Sequence, residues 1–293
     1  MKPTAIKTAT AARAQAVGQT STALVPTTEH TSAVSVVVDY GEDAGKGFEN
    51  QTRDDIQIPF LNLLQPMSPL LQERQEAKAG QLYNTVTEEL VDGVKGVVFI
   101  PATTSHTYVE YKPRVGGSGG GFVAVHKLDS DVVKAAIASA ESFGNYKLPN
   151  KNELVETFSV YGLIVNPDGA TGFAVLGFTS TKIAPYKRWS TVVNMFTLPG
   201  PTPGSKVRPP LFAHQVRITS YMDKNDKGIF YNYKLTPAIN GSVKDSLLPP
   251  GSPLLLEAKN LRELVDGGLA KADYGSQQPA AEGTGGAQPD WNK

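Results

Sequence analysis

Residues 154–178 read LVETFSVYGLIVNPDGATGFAVLGF, and this stretch decides the fold class. Apolar, aromatic and β-branched residues dominate its two ends, 154–165 and 172–178, as is typical of strands. Between the ends, NPDG at residues 166–169 combines residue types that favour a tight turn. Strands joined by so short a turn run in opposite directions, so the stretch predicts an antiparallel β-hairpin.

Further strands and helices are predicted on both sides of this hairpin. Short runs of the same residue types predict strands at 82–86, 96–100, 106–112, 121–126, 211–221 and 229–235. The first two flank Asp92-Gly93, a dipeptide that favours a hairpin turn. Apolar residues at helical spacing predict about three helices, at 129–143, 180–197 and 253–264. This order predicts an α+β fold, built on an antiparallel sheet or on an OB-like barrel with insertions.

The ends of the chain differ in composition from its middle. Residues 1–47 are rich in Ala, Thr, Ser and Val, and the last twenty or so in Gly, Gln, Pro and Ala, without a sustained hydrophobic period. A chain of 293 residues, 40% of them apolar, can build one or two cores. We therefore predict a disordered N-terminal arm (1–47), a single folded domain (48–268) and a disordered C-terminal tail (269–293).

The composition excludes several classes of protein. The chain contains no cysteine, which excludes disulfides, thiolate metal sites and cysteine nucleophiles, and favours a reducing compartment. No window approaches the run of about eighteen apolar residues that a membrane-spanning helix needs. The Thr- and Ala-rich sequence after Lys7 lacks the apolar region of a secretion signal. We therefore expect a cytoplasmic protein.

Charge is segregated along the chain, although the formal net charge is zero. Residues 41–93 contain ten Asp or Glu and four Lys or Arg, a net charge of −6. Residues 182–234, the basic region, contain nine Lys or Arg and two Asp, a net charge of +7. Such segregation can create a local positive field on a neutral protein. Alternatively, the two regions pair with each other within the fold.

The basic region is also aromatic, with eight of the chain's 24 Phe, Tyr and Trp residues. Unpaired bases stack on such rings at about 1–3 kcal/mol per base, while cations neutralise the phosphates. A smaller set of similar residues precedes the Gly-rich run 116–121, which we interpret as a flap. The alternative is that the rings only fill the core. The candidate nucleic-acid-binding residues are Tyr108, Tyr111, Lys112, Arg114, Lys182, Tyr186, Lys187, Arg188, Trp189, Arg208, Arg217, Lys224, Lys227, Phe230, Tyr231 and Tyr233.

Residue patterns that indicate catalysis are weak. The sequence contains no H-E-x-x-H motif and no Walker A loop. The four histidines have no partner at ligand spacing, so we predict no metal site and no other cofactor. We expect no catalytic residues and a protein that is not an enzyme. One alternative is a Mg²⁺-dependent nuclease that uses Asp54, Asp55 and Glu88 or Glu89.

Several short segments resemble a family of tailed-bacteriophage proteins. They are GFEN (47–50), IPFLNLLQ (58–65), SP (68–69), NTVT (84–87), YKPR (111–114) with the following Gly-rich run, and GFV (121–123). The resemblance covers most of residues 47–237. Members of the family resemble products of the phage replication and recombination region. The resemblance therefore implies single-stranded DNA binding in the host cytoplasm. Many such proteins end in an acidic tail, whereas this tail has only Asp273, Glu282 and Asp290.

The residues and the resemblance together predict a single-stranded DNA-binding protein that supports phage replication or recombination. The strands within 106–127 and 182–234 are expected to form the binding groove. The expected partner is single-stranded DNA, with no membrane partner and with a homo-oligomer left open. The alternative is a phage structural or assembly protein that oligomerises through its arm and its Gly-rich loop.

Overall fold

The computed structural model describes residues 41–43, 46–47, 49–50, 57–113, 120–142, 144–226 and 228–275. The chain divides into two units, Met1–Glu49 and Asn50–Lys293. The described part of the first unit contains a short 3-10 helix, Gly41–Asp43. Most of the predicted arm, and the predicted tail after residue 275, lie outside the described residues.

The described part of the second unit contains short and long strands and four helices. The strands are β1 (Gln57–Ile58), β2 (Leu61–Leu63), β3 (Leu82–Asn84), β4 (Leu90–Val91), β5 (Val97–Tyr111), β6 (Phe122–Lys127), β7 (Tyr146–Lys147), β8 (Glu153–Val165), β9 (Thr171–Phe178), β10 (Leu198–Pro199), β11 (Lys206–Val207), β12 (Val216–Asn225), β13 (Gly228–Pro237) and β14 (Lys271–Ala272). The helices are α1 (Leu70–Glu73), α2 (Asp131–Ala138), α3 (Ile183–Met195) and α4 (Pro253–Asp266). Among the described residues, no helix is long and apolar enough to cross a membrane.

The main sheet is antiparallel and is built around the long strands β5 and β8, which pair along most of their length. β9 follows β8 in the hairpin that the sequence predicts, and it pairs with the second half of β8. On the other edge of β5, β12 pairs with residues 97–99 and β6 with residues 107–111. β13 extends the sheet beyond β12. The predicted α+β fold on an antiparallel sheet is therefore confirmed.

Residues 59–65 connect the two outer strands of this sheet. Phe60 forms a parallel bridge with Val175 of β9, whose N–H donates to the Pro59 carbonyl at 2.8 Å. At the other end of the segment, the Gln65 side chain pairs with the outer edge of β13. Its Nε2 donates to the Tyr231 carbonyl at 3.0 Å, and its Oε1 accepts from the Tyr231 N–H at 2.9 Å. A side-chain amide thus takes the place of a backbone peptide in the ladder.

The helices cover both faces of the sheet. α3 packs on one face, where its residues Ile183, Tyr186, Trp189 and Val193 join the first core cluster. This spacing places all four on one side of the helix. α4 packs on the opposite face and buries Ala258 and Leu261, while α2 covers the far end of the sheet. The three predicted helices are confirmed, with shorter bounds for the first two.

Two details differ from the sequence prediction. The hairpin predicted around Asp92-Gly93 is wrong, since β3 pairs with β2 and β4 whereas β5 pairs with β8, β12 and β6. β5 instead pairs with β8 along most of one edge, and with β12 and β6 at the two ends of its other edge. The packed region also extends past residue 268, because β14 pairs with β1 and the Tyr274 ring packs on Phe60 at 5.3 Å.

Candidate nucleic-acid interface

Helix α3 carries two predicted rings and two predicted cations on different sides. Tyr186 and Trp189 are buried, with 9% and 7% of their surface exposed. The Tyr186 ring lies against Phe158 of β8 and Phe178 of β9, and the Trp189 ring lies against Tyr186. Lys187 and Arg188 are exposed. The helix therefore offers its cations to a ligand, while its rings stabilise the core.

Four more candidate residues are buried. Tyr108, Tyr111 and Tyr233 belong to the core clusters, and Lys182 is 7% exposed at the end of the 3-10 helix that precedes α3. The Tyr233 hydroxyl donates to the Leu61 carbonyl at 3.0 Å. Burial raises the pKa of all three phenols, which therefore stay neutral. Rings packed against core side chains have no free face for a base, so the predicted stacking platform cannot include them.

The remaining cations of the basic region lie at the surface. They are Lys187, Arg188, Lys206, Arg208, Arg217, Lys224 and Lys234, of which Arg217 is half-buried. Within the described residues, none of them forms an ion pair with a carboxylate. The Lys187 ammonium instead lies 5.6 Å from the centroid of the Phe158 ring. Because no carboxylate neutralises these cations, their positive charge can attract an anionic ligand.

The β12–β13 hairpin presents three rings that remain at least partly accessible. Tyr221 is 38% exposed, and Phe230 and Tyr231 are half-buried. Partial burial and the charge of Asp223 raise the pKa of Tyr221, whereas the charge of Arg188 opposes that shift. Because α3 packs against β13, the exposed cations of the helix and the accessible rings of the hairpin lie on neighbouring elements.

Neutral contacts hold the hairpin in this position. Gly80, with φ of +90°, lies directly under the Tyr231 ring, where a Cβ would come within 2.5 Å of the ring. The Ser220 N–H donates to the Gly93 carbonyl at 2.7 Å, and its hydroxyl donates to the Gly80 carbonyl. Asn232 Nδ2 donates to the carbonyl of Thr181 at 3.1 Å, which ties β13 to the start of α3.

The acidic region does not neutralise the basic region through ion pairs. Arg74 pairs locally, at 2.7 Å with Glu76 and at 3.8 Å with Glu88. Where both regions are described, no ion pair joins residues 57–93 to the basic region. The hydrogen bonds between them, those of Gln65, Ser220 and Tyr233, join neutral groups. Of the residues in the nuclease alternative, Asp54 and Asp55 lie outside the described residues.

The structure separates the β12–β13 hairpin from the 107–112 end of β5. β6 and β12 use the same edge of β5 but at opposite ends, so residues 100–106 lie between their pairing sites. At about 3.3 Å per residue, that gap is roughly 23 Å long. Helix α3 is nearer to the 107–112 end, since Lys187 lies over the Phe158 ring, which stacks on His106. Arg114 and Lys227 lie outside the described residues.

Sequence reasoning missed the residues that position this surface. Gln65, Gly80 and Ser220 were not candidates, because each is polar or small and lies far along the chain from its partner. The sequence held one signal for Gln65, which is the last residue of IPFLNLLQ, a segment that resembles the phage family. A glutamine after a strand of apolar residues does not by itself reveal a partner 166 residues away.

A family model described as Pam3 phage gp34-like protein matches residues 28–271 of the chain. The chain belongs to this phage gp34-like family. The match includes the whole basic region, and it confirms the association with bacteriophages that the short segments indicated. No curated protein and no solved structure matches the chain.

Proposed function

We propose that this phage gp34-like protein binds single-stranded DNA through the basic surface. The term basic surface denotes the exposed cations of α3, of residues 206–208 and of the β12–β13 hairpin, together with Tyr221 and Phe230. The observation that carries the proposal is the set of cations without carboxylate partners among the described residues, together with an accessible tyrosine on the hairpin that carries Lys224 and Lys234.

Phosphates account for most of the expected affinity. Each cation that neutralises a phosphate releases a counterion, so the binding constant falls steeply with salt. Of the eight rings of the basic region, one is exposed (Tyr221) and four are half-buried, so base stacking is expected to add contributions from few bases. A ring can stack only on a base that is unpaired, which favours single strands over duplex DNA.

A fluorescence-anisotropy titration with labelled oligo-dT at two salt concentrations tests the proposal. The triple variant Arg188→Glu, Lys224→Glu, Lys234→Glu should lose binding at both concentrations, because it inverts the charge of the surface. The matched control Lys134→Glu, Lys147→Glu, Lys259→Glu changes the net charge equally at exposed sites on other elements. We expect the control to bind nearly as the natural chain does.

Two outcomes would contradict the proposal. The first is that the natural chain shows no binding at low salt. The second is that both triple variants weaken binding equally, because the effect would then follow net charge and not the basic surface.

One observation favours the second candidate function, self-assembly of a phage structural protein. β6 pairs with β5 on one side only among the described strands, and its Phe122, Val123 and Val125 are 37–42% exposed. An apolar edge strand can pair with another copy of the chain. Sedimentation without DNA tests this function, and a Val125→Lys variant should dissociate any assembly that pairs through β6.

A further inference from the structure

A cavity of about 160 Å³ lies among helix α3, the start of β12, the end of β13 and residues 243–246. Two of its lining residues, Arg188 and Val192, are exposed and lie one turn apart on the same side of α3. The cavity therefore opens to the surface along that turn. Because Arg188 also belongs to the basic surface, a strand bound there would pass the mouth of the cavity.

The walls of the cavity are mainly apolar. Val193, Val216 and Leu235 line it from α3, β12 and β13, and each belongs to the first core cluster or packs against it. Trp189 lines it as well, and its ring is held in the core against the Tyr186 ring, with centroids 6.0 Å apart. Because core packing fixes these residues, the cavity exists before a ligand arrives. An apolar group that enters it is removed from water, which is favourable.

The volume of the cavity corresponds to a single ring. An engineered apolar cavity of roughly 150 Å³ holds one benzene molecule. Pyrimidine bases consist of one six-membered ring, whereas purine bases consist of two fused rings. A cavity of about 160 Å³ therefore admits a pyrimidine base and is too small for a purine base unless its walls move.

The charge at the cavity favours a ligand with a neutral ring inside and an anionic group outside. Among the described residues that line it, Arg188 is the one charged side chain at neutral pH, because burial lowers the pKa of His214, the other titratable group. No carboxylate in the described chain forms an ion pair with Arg188. Lys234 and Lys244, both exposed, adjoin lining residues in the sequence. A nucleotide combines an uncharged base with a phosphate that a guanidinium binds well.

We propose that this cavity binds one pyrimidine base of the strand held by the basic surface, with a neighbouring phosphate on Arg188. The inference rests on the proposed function and adds a base preference to it. Contacts between cations and phosphates carry no sequence information, and stacking on exposed rings tolerates every base. Neither of these contacts nor the family match assigns a site that distinguishes bases. The cavity distinguishes them by size.

The variant Val192→Phe tests the cavity, because it places a larger side chain at the mouth. Val192 is 52% exposed, so the melting temperature should change little. The affinity for oligo-dT should fall about fivefold or more, since the contribution of one enclosed base is lost. The affinity for oligo-dA should stay nearly unchanged. Met195→Phe is the matched control, because Met195 is exposed on the same helix and does not line the cavity.

Fluorescence anisotropy with labelled oligo-dT and oligo-dA of equal length measures the preference. A preference for oligo-dT that Val192→Phe abolishes and Met195→Phe keeps would support the inference. Equal binding of the two oligomers by the natural chain would overturn it and leave the basic surface intact. A preference that survives in Val192→Phe would also overturn it, because the flexibility of the strand would then be its source. Absence of binding to either oligomer would contradict the proposed function itself.

Indole fluorescence gives a second readout at the cavity itself. The chain contains two tryptophans, Trp189 and Trp291, so a Trp291→Phe variant reports on Trp189 alone. Saturating oligo-dT should change the emission of Trp189, because a base in the cavity lies against a residue that lines it. Saturating oligo-dA should change it much less. Equal changes with both oligomers would show that the cavity does not select a pyrimidine base.

Discussion

Helix α3 and the β12–β13 hairpin each have an inner side that packs the core and an outer side that carries cations. On the inner side, Tyr186, Trp189 and Tyr233 are less than a tenth exposed. The Tyr186 ring packs on rings of β8 and β9, the Trp189 ring packs on Tyr186, and Tyr233 contacts a ring of β9 and the backbone of β2. On the outer side, Arg188 and Tyr221 are exposed. Similar residue types therefore have different roles, which the direction of each side chain decides.

The largest expected effect comes from the inner side. Trp189→Ala removes a buried ring, so it should lower the free energy of unfolding by about 3–5 kcal/mol. Its exposed neighbour provides the control, since Arg188→Ala should change stability by about 0.5 kcal/mol or less. Urea denaturation measures both. If Trp189→Ala is as stable as the natural chain but no longer binds DNA, the assignment of Trp189 to the core side is wrong, because the indole must then contact the DNA.

The second largest effect is expected at Gln65, whose side chain ties β13 to residues 59–65. Gln65→Ala leaves the N–H and carbonyl of Tyr231 without the partners that Gln65 supplies, and should cost about 1–3 kcal/mol of stability. It should also weaken oligo-dT binding, because the hairpin loses its anchor. Gln72→Ala, at an exposed position of α1, is the control. An unchanged urea midpoint for Gln65→Ala would show that the side-chain pair does not hold β13.

On the outer side, the ring of Tyr221 is expected to contribute to binding and little to stability. Tyr221→Ala should weaken oligo-dT binding by about 1–3 kcal/mol if a base stacks there. Tyr221→Phe keeps the ring and should bind almost as the natural chain does. Anisotropy titrations give the affinities, and equal losses in both variants would assign the effect to the hydroxyl instead of the ring.

The smallest expected effect is a pH dependence of stability, which comes from the buried His214. Burial lowers the pKa of His214 from its usual 6.5, and this histidine lines a cavity of about 160 Å³ beside Trp189. Between the lowered pKa and 6.5, the unfolded chain binds more protons than the folded chain, so stability falls as the pH drops below about 6.5.

Urea midpoints at about pH 7 and about pH 5.5 measure this effect. His214→Gln should remove this part of the slope, whereas the exposed Arg188→Gln should keep it. A natural chain with a flat profile over this range would show that His214 protonates equally well when folded.

Local patterns predicted much of the fold. The turn at 166–169 and the apolar runs beside it specify β8 and β9, and the helical spacing of Ile183, Tyr186 and Trp189 specifies α3. The pairing of β5 was not predictable in the same way. It depends on which distant strands reach each edge, and the turn at Asp92-Gly93 pointed to a different partner.

The candidate site was predictable in part. The sequence could locate the cations because Lys and Arg side chains are rarely buried. A segment rich in them therefore predicts a positively charged surface. The sequence pattern did not distinguish the accessible rings from the buried ones. Tyr231 and Tyr233 lie on the same side of β13, yet only Tyr233 is fully buried, and Tyr221 belongs to a run of similar composition on β12.

The sequence by itself determined the segregation of charge, the absence of thiol chemistry and the existence of the main hairpin and helices, because these follow from composition and local spacing. Tertiary structure alone decided which rings of the basic region are buried and which stay exposed. That outcome depends on contacts between distant residues, such as Gln65 with Tyr231 and Leu61 with Tyr233. Burial is a property of the assembled neighbours of a side chain, and residue type along the chain does not encode it one position at a time.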